Sequence, residues 1–252
     1  MLPTRRALRV WHRNLESWKR FALSFLVANL GEPVFFLLAM GYGLGRFVAD
    51  IDGVPYAVFL APGIIASAAM NAATFETTFG SFTRMTEQHT YVAILATPCS
   101  VADIVAGDIL WAATKSVLAV CLILAITALF GLLASPLALA LVPVGFLVGL
   151  MFAGLGMVVT ARAPSYDYFS YYLTFVSMMF LFAGVFFPLE GLPAWARALA
   201  WTLPLAHAVR ISRAFAGGTI DPHLAGDLAW ILVVTGAVFV VAERLVRRRL
   251  LV

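Results

Sequence analysis

The sequence predicts an all-α integral membrane protein with six transmembrane helices, and three observations carry that expectation. Six long apolar stretches fill most of the 252 residues, only 12% of side chains are charged, and the mean hydropathy is +0.95. A soluble domain carries about 25% charged residues, so this chain has roughly half the usual supply for wetting a surface. The basic residues gather at the two ends: Arg5, Arg6, Arg9, Arg13, Lys19 and Arg20 at one, Arg244, Arg247, Arg248 and Arg249 at the other. Because these clusters flank apolar spans, they favour retention of both termini in the cytoplasm over contact with nucleic acid. One membrane domain accounts for residues 1–252, since no polar segment reaches the roughly 50 residues of an independent domain.

Residues 4–20 have the pattern of an amphipathic interface helix. Leu8, Trp11, Leu15 and Trp18 recur at spacings of three and four, and Arg5, Arg9, His12, Arg13, Glu16 and Arg20 occupy most of the remainder. Such a helix lies in the headgroup plane with its tryptophans inward. It lacks a short apolar core and a small-residue cleavage site, so a removable signal peptide is not expected.

Span 1 covers 21–45 and ends at the run Gly41-Tyr42-Gly43-Leu44-Gly45. Within it Glu32 precedes Pro33, which predicts a kink and a freed backbone carbonyl. Span 2 covers 56–80. The polar stretch 81–100 that follows is far longer than a connector needs, with helical character over Arg84–Ala93 before Pro98. Ser100 and Asp103 have capping-box spacing and open span 3, 103–133. At ~1.5 Å per residue that span measures roughly 45 Å, more than a ~30 Å hydrocarbon core, so its cytoplasmic end should protrude.

Spans 4, 5 and 6 cover 137–160, 167–187 and 226–246. Gly145, Gly149, Gly154 and Gly156 in span 4 suit close helix packing or the wall of a groove. Residues 188–225 are too polar to span and too apolar for a loop. Pro193 and Pro204 each open about ten residues without a breaker, as proline does at a first helical position. Re-entrant or interfacial helices on the external side are expected there, bearing Pro188, Trp195, Trp201, Pro204 and His207. Trp195 and Trp201 suit interfacial anchors, with stacking on sugars as the alternative. Six spans return the C-terminus to the cytoplasm, which places twelve Lys and Arg on that side. Four are left outside: Arg46, Arg197, Arg210 and Arg213.

Catalytic signatures are missing: there is no Gly-x-Ser-x-Gly, His-Glu-x-x-His or phosphate-cradling Gly-x-x-x-x-Gly-Lys. His12, His89, His207 and His223 have no metal-ligand spacing, and Cys99 and Cys121 fit neither a zinc pattern nor a disulfide framework. No catalytic residue, metal or cofactor is therefore expected in this chain. The ionisable residues inside spans are Glu32, Glu76 and Lys115, and such groups are costly in lipid and usually mark function. Glu76 and Lys115 fall at similar depth, so a pair joining spans 2 and 3 is expected.

Several segments together resemble the ABC-2 type membrane subunits, most closely the NodJ-like branch linked to lipooligosaccharide export. They are Leu30-Gly-Glu-Pro33 with Gly41-Tyr-Gly-Leu-Gly45; Phe75-Glu-Thr-Thr-Phe-Gly-Ser-Phe-Thr-Arg-Met85; Tyr91-Val-Ala-Ile-Leu-Ala-Thr-Pro98; Gly107-Asp-Ile-Leu-Trp-Ala-Ala-Thr-Lys115; and Gly184-Val-Phe-Phe-Pro-Leu189 with Leu203-Pro-Leu-Ala-His207. The resemblance implies a homodimer of permeases working with two copies of a separate ATPase subunit, which binds ATP and Mg. It also implies that the N-terminal helix and the stretch after span 2 contact that ATPase. Arg84, Met85, Glu87, Gln88, His89 and Tyr91 then form the coupling helix, and 188–217 the external re-entrant helices. The implied activity is export of an amphiphile, a glycolipid or lipooligosaccharide, across the bacterial inner membrane. Drug or antibiotic efflux by the same fold is an alternative. An ion-coupled secondary transporter would use Glu32 and Glu76 as protonation sites, but the inverted repeats common in that class are not visible. A membrane enzyme acting on lipids would need an activated nucleophile, and none is found.

Overall fold

The computed structural model describes residues 3–48, 50–51 and 53–251, less the side chains of Leu26, Ala28, Asn29, Leu30 and Glu32. The Glu32 carboxylate singled out above thus lies outside the described residues. Every regular element among them is helical. With no water in a bilayer core to satisfy backbone groups, a helix bundle is one of the two architectures that can cross it.

Among the described residues, four helices are long and apolar enough to span a membrane: Tyr56–Thr86, Val101–Leu129, Pro136–Arg162 and His223–Leu250. The first is a composite of α3 (Tyr56–Phe75), a wide π-helical turn over Glu76–Gly80, and α4 (Ser81–Thr86). The helix of span 2 therefore continues past residue 80 and takes in the start of the polar stretch. It is preceded by α1 (Ala7–Trp18) and by α2 (Ala22–Phe36), which passes through Pro33 and continues as a π-helix, Leu37–Gly43. After it come α5 (Thr90–Leu95), α6 (Val101–Leu129), α7 (Leu141–Arg162) and α8 (Phe169–Phe182). The chain closes with α9 (Ala194–Ala200), α10 (Pro204–Gly217) and α11 (His223–Leu250).

The capping box at the start of α6 is formed, with the Ser100 side chain accepting from Asp103 N and Asp103 accepting from Ser100 N. Asp103 also accepts from the Thr4 backbone at 2.6 Å, which fixes the chain just ahead of α1 to the same cap. One end of the bundle thus carries the start of α1, α4, α5 and the far end of α11, where Arg249 donates to the Thr160 and Ala163 carbonyls. Two ring contacts place α2 between the ends. Phe25 lies 5.3 Å from the Lys115 ammonium, and Tyr42 lies 5.9 Å from Phe130 just past α6. For α8, Phe169 packs 5.3 Å from Phe82, while beyond its other end the Phe186 carbonyl accepts from Tyr56 at the start of α3.

Small residues decide the packing around α7. A Cβ on Gly149 would meet Ser116 Cβ at 2.7 Å and Ala113 Cα at 2.8 Å, and one on Gly156 would meet Thr77 Oγ1 at 2.2 Å. Gly154 faces α11 in the same way, through Val238. These glycines therefore let α6, α3 and α11 approach one central helix, which is packing rather than a groove wall. In lipid, such close van der Waals contact is the main force that associates helices.

The N-terminal helix differs from expectation. Its buried stripe is Ala7, Val10 and Asn14, one step from the predicted Leu8–Leu15 stripe, and it packs on α6. Trp11 donates to Thr114 at 2.9 Å, and Trp18 meets Trp111 edge-on at 5.7 Å. Gly107 permits this, because a Cβ there would sit 2.5 Å from Val10 Cβ. Gly107→Ala should cost roughly 1–3 kcal/mol of overpacking and lift α1. Faster trypsin cleavage after Arg9 and Arg13 and a lower Tm in detergent are the expected readouts.

Candidate functional site

Asp108 on α6 is fully buried, and the described elements around it all send donors to its carboxylate. Asn14 of α1 donates to Oδ1 at 2.6 Å. Ser81 and Arg84 of α4 donate to Oδ2 at 2.9 and 3.0 Å, and the Tyr91 hydroxyl of α5 donates to the same oxygen. Burial, and then the Asp108 charge beside it, hold the Tyr91 hydroxyl well above its usual range, so it remains a proton donor.

A line of alternating charge runs outward from this point. Arg84 Nη1 donates to Glu76 Oε1 at 2.8 Å, and Lys115 Nζ donates to Glu76 Oε2. Lys115 and Glu76, predicted at similar depth, are thus in contact. Asp108 and Lys115 are seven residues apart and share a face of α6. Glu76 and Arg84 are eight apart, which on a regular α-helix would leave them about 80° out of line; the wide turn between them absorbs that excess. Gly80 leaves room for the Glu76 carboxylate, since a Cβ there would lie 2.9 Å from Oε1. Thr77 and Thr78 hydroxyls donate to carbonyls one turn back, at 2.9 and 2.7 Å, within the widened segment.

The stretch assigned to coupling divides in two. Glu87, Gln88 and His89 are exposed at a corner, where His89 takes a left-handed φ of 50°. This break corrects the single helix expected over Arg84–Ala93. Arg84, Met85 and Tyr91, in contrast, point inward. Met85 is 5% and Tyr91 0% exposed, packed with Phe82, Ile104, Ala163 and Phe169, and Arg84 is spent on Glu76 and Asp108. The chain doubles back at His89 so that Tyr91 can reach Asp108.

Beside the charged line is an open cavity of about 450 Å³ between α1, the wide turn at Glu76–Gly80, α4 and α6. Arg13, Trp18, Glu76, Phe79, Trp111 and Lys115 contribute to its lining. Burial, and then the like charge of Arg84, lower the affinity of the Arg13 guanidinium for its proton.

At the other end, His207 Nδ1 pairs with Asp227 Oδ1 at 2.6 Å, and its Nε2 lies 3.0 Å from the Trp201 carbonyl. Arg210 closes on the same carboxylate and lies 4.3 Å from the centre of the Trp201 ring. Helices begin directly after Pro193 and at Pro204, and Pro188 leads into a short turn before α9. Trp195 is 74% exposed, whereas Trp201 is covered by Arg210 instead of standing free. Among the described residues no group of three His, Cys, Asp or Glu could hold a metal ion.

Asp108 and Asp227 were both absent from the ionisable residues singled out in the sequence. Each is an acid within or at the edge of a long apolar run, and the cost of burying it demands a partner. That signal was available for Asp108 in particular, since the stretch from it to Leu129 carries a single other charge, Lys115.

Residues 6–215 match the family described as ABC-2 type transporter. The chain belongs to that family. Among similar proteins, Nodulation protein J of Rhizobium leguminosarum bv. viciae is 43% identical over 245 residues, 97% of this chain and 95% of the relative. Nodulation protein J of Rhizobium meliloti (strain 1021) is 40% identical over 243 residues, 96% and 93% of the two chains. The protein of that name from Azorhizobium caulinodans is 31% identical over 181 residues, 71% of each. This ABC-2 chain is accordingly a transporter membrane subunit, and its charged line sits in the segments that carried the resemblance.

Removing Asp108 from the ABC-2 chain takes from Arg84 one of its two carboxylates and leaves the buried Tyr91 hydroxyl unpaired, and breaking such a buried pair costs roughly 3–5 kcal/mol. Asp108→Ala should therefore abolish the folded state in detergent, whereas Tyr91→Phe should lower Tm without abolishing it. The double swap Glu76→Lys with Lys115→Glu should fail to restore the Tm of either single variant, because Arg84 would then face a lysine. Full rescue would show that Glu76 answers to Lys115 alone.

Proposed function

We propose that this chain is the permease half of an ATP-driven exporter in the bacterial inner membrane. It crosses the bilayer six times, with α2 and α8 completing the four longer spans and both termini in the cytoplasm. Two copies assemble with two copies of a separate ATPase, which binds ATP and Mg. The cargo is an amphiphile, a glycolipid or lipooligosaccharide, taken from the inner leaflet and released near the re-entrant segment 188–217. The relatives' name, Nodulation protein J, is what favours a lipooligosaccharide-like cargo over drug efflux.

The observation that carries this reading is the exposed corner Glu87-Gln88-His89, braced from behind by the Asp108 cluster. A solvated connector would not need a buried carboxylate held by four side chains directly beneath it. Because Tyr91 and Arg84 bind one carboxylate, a force on that corner reaches α3 and α6 together instead of bending a loop. α1 is held to the same carboxylate through Asn14 and would move with them.

The chain should co-purify with an ATPase subunit from bacterial membranes. Glycolipid export should stop when that subunit cannot hydrolyse ATP. A cysteine replacing Gln88 should react with a membrane-impermeant maleimide only in inside-out vesicles. Export that persisted without the ATPase and followed the proton gradient would instead identify an ion-coupled transporter.

A further inference from the structure

The cavity between α1, the wide turn at Glu76–Gly80 and α4 has more donors than the protein itself uses. Glu76 gives one carboxylate oxygen to Arg84 and the other to Lys115, so its charge is matched. Arg84 is further held by Asp108. Arg13 also lines the cavity, but the contact recorded for its guanidinium among the described residues is a neutral amide, Asn14 Oδ1 at 3.2 Å. Next to it the Trp18 indole N–H is buried and has no hydrogen-bond partner among the described residues. A buried donor left unmade costs about 1–3 kcal/mol, so the pair describes half of an interaction.

The missing half must accept hydrogen bonds and carry negative charge. The rim defines the rest of it. Phe21 of the lining is 66% exposed, Phe75, stacked on the lining residue Phe79 at 5.8 Å, is 50% exposed, and Leu23, two residues after Phe21, is 74% exposed. A freely dissolved anion would gain nothing from that apolar skirt, whereas acyl chains would lie along it. Basic residues on a membrane-surface helix also attract anionic lipids by about 1 kcal/mol each.

We propose that the cavity is a binding site for an anionic phospholipid, whose phosphate is held by the Arg13 guanidinium and the Trp18 indole N–H while its acyl chains follow Phe21 and Phe75. The lipid closes the seam between α1 and the wide turn at Glu76–Gly80, beside the Asn14 and Arg84 side chains that hold Asp108. The inference requires the chain to be embedded in a membrane and is independent of which cargo it moves.

Native mass spectrometry of the purified full chain tests it with dioleoylphosphatidylglycerol, dioleoylphosphatidylcholine and inorganic phosphate as probes. Phosphatidylglycerol should be retained over phosphatidylcholine, and Arg13→Gln should weaken it roughly tenfold, as expected for loss of a charged hydrogen bond. Trp18→Phe keeps the ring and the charge balance and should weaken it several-fold, which preserves the test if Arg13→Gln does not fold. Arg9→Gln, an exposed cation on the same helix, should change it by less than about twofold. Equal retention of the two lipids, an equal loss in Arg9→Gln, or displacement of the lipid by millimolar phosphate would each overturn the proposal. The readout involves neither transport nor ATPase, so its failure and that of the exporter reading are separate results.

Discussion

A carboxylate with no access to water must be neutralised by its neighbours, and in this chain that requirement organises one whole end of the bundle. Asp108 draws an amide from α1, a hydroxyl and a guanidinium from α4, and a phenol from α5. Transfer of such a charge out of water is worth several kcal/mol even after relaxation, so none of those elements can drift far. The sharp turn at His89 and the wide turn at Glu76–Gly80 are both geometric consequences. One reverses the chain so that Tyr91 enters; the other brings Glu76 and Arg84 onto one line.

Elsewhere the bundle depends on contact rather than charge. Lipid tails are as apolar as leucine, so burying leucine gains little in a bilayer, and close backbone approach takes over. The glycines of α7 provide that approach on three sides, and the Thr160 hydroxyl donates across it to the Thr77 carbonyl at 2.6 Å. This division suits a moving part: the middle is held by many weak contacts, and the end that receives force is held by a few strong ones.

The far end repeats the principle on a smaller scale. Asp227 at the start of α11 is 1% exposed and is satisfied by His207 and Arg210 from α10. The His207 ring stacks on Trp230 at 4.3 Å. Arg213 binds the Gly184 and Val185 carbonyls while lying over Phe59, which ties the segment after α8 back to α3. Helix α10 is therefore an integral part of the bundle, despite a composition intermediate between span and loop.

Composition and hydropathy were enough to establish a helical membrane bundle, the capping box at Ser100, the helix starts set by Pro193 and Pro204, and the depth match of Glu76 with Lys115. Each of these rests on local spacing or on a long apolar run, which sequence expresses directly. What tertiary structure decided is where the polar groups point. The α1 stripe turned by one residue because Gly107 offered it a protein surface, and half of the supposed coupling residues turned inward because Asp108 needed donors. Side chains far apart in sequence settle that question together, through a buried charge that no local pattern records.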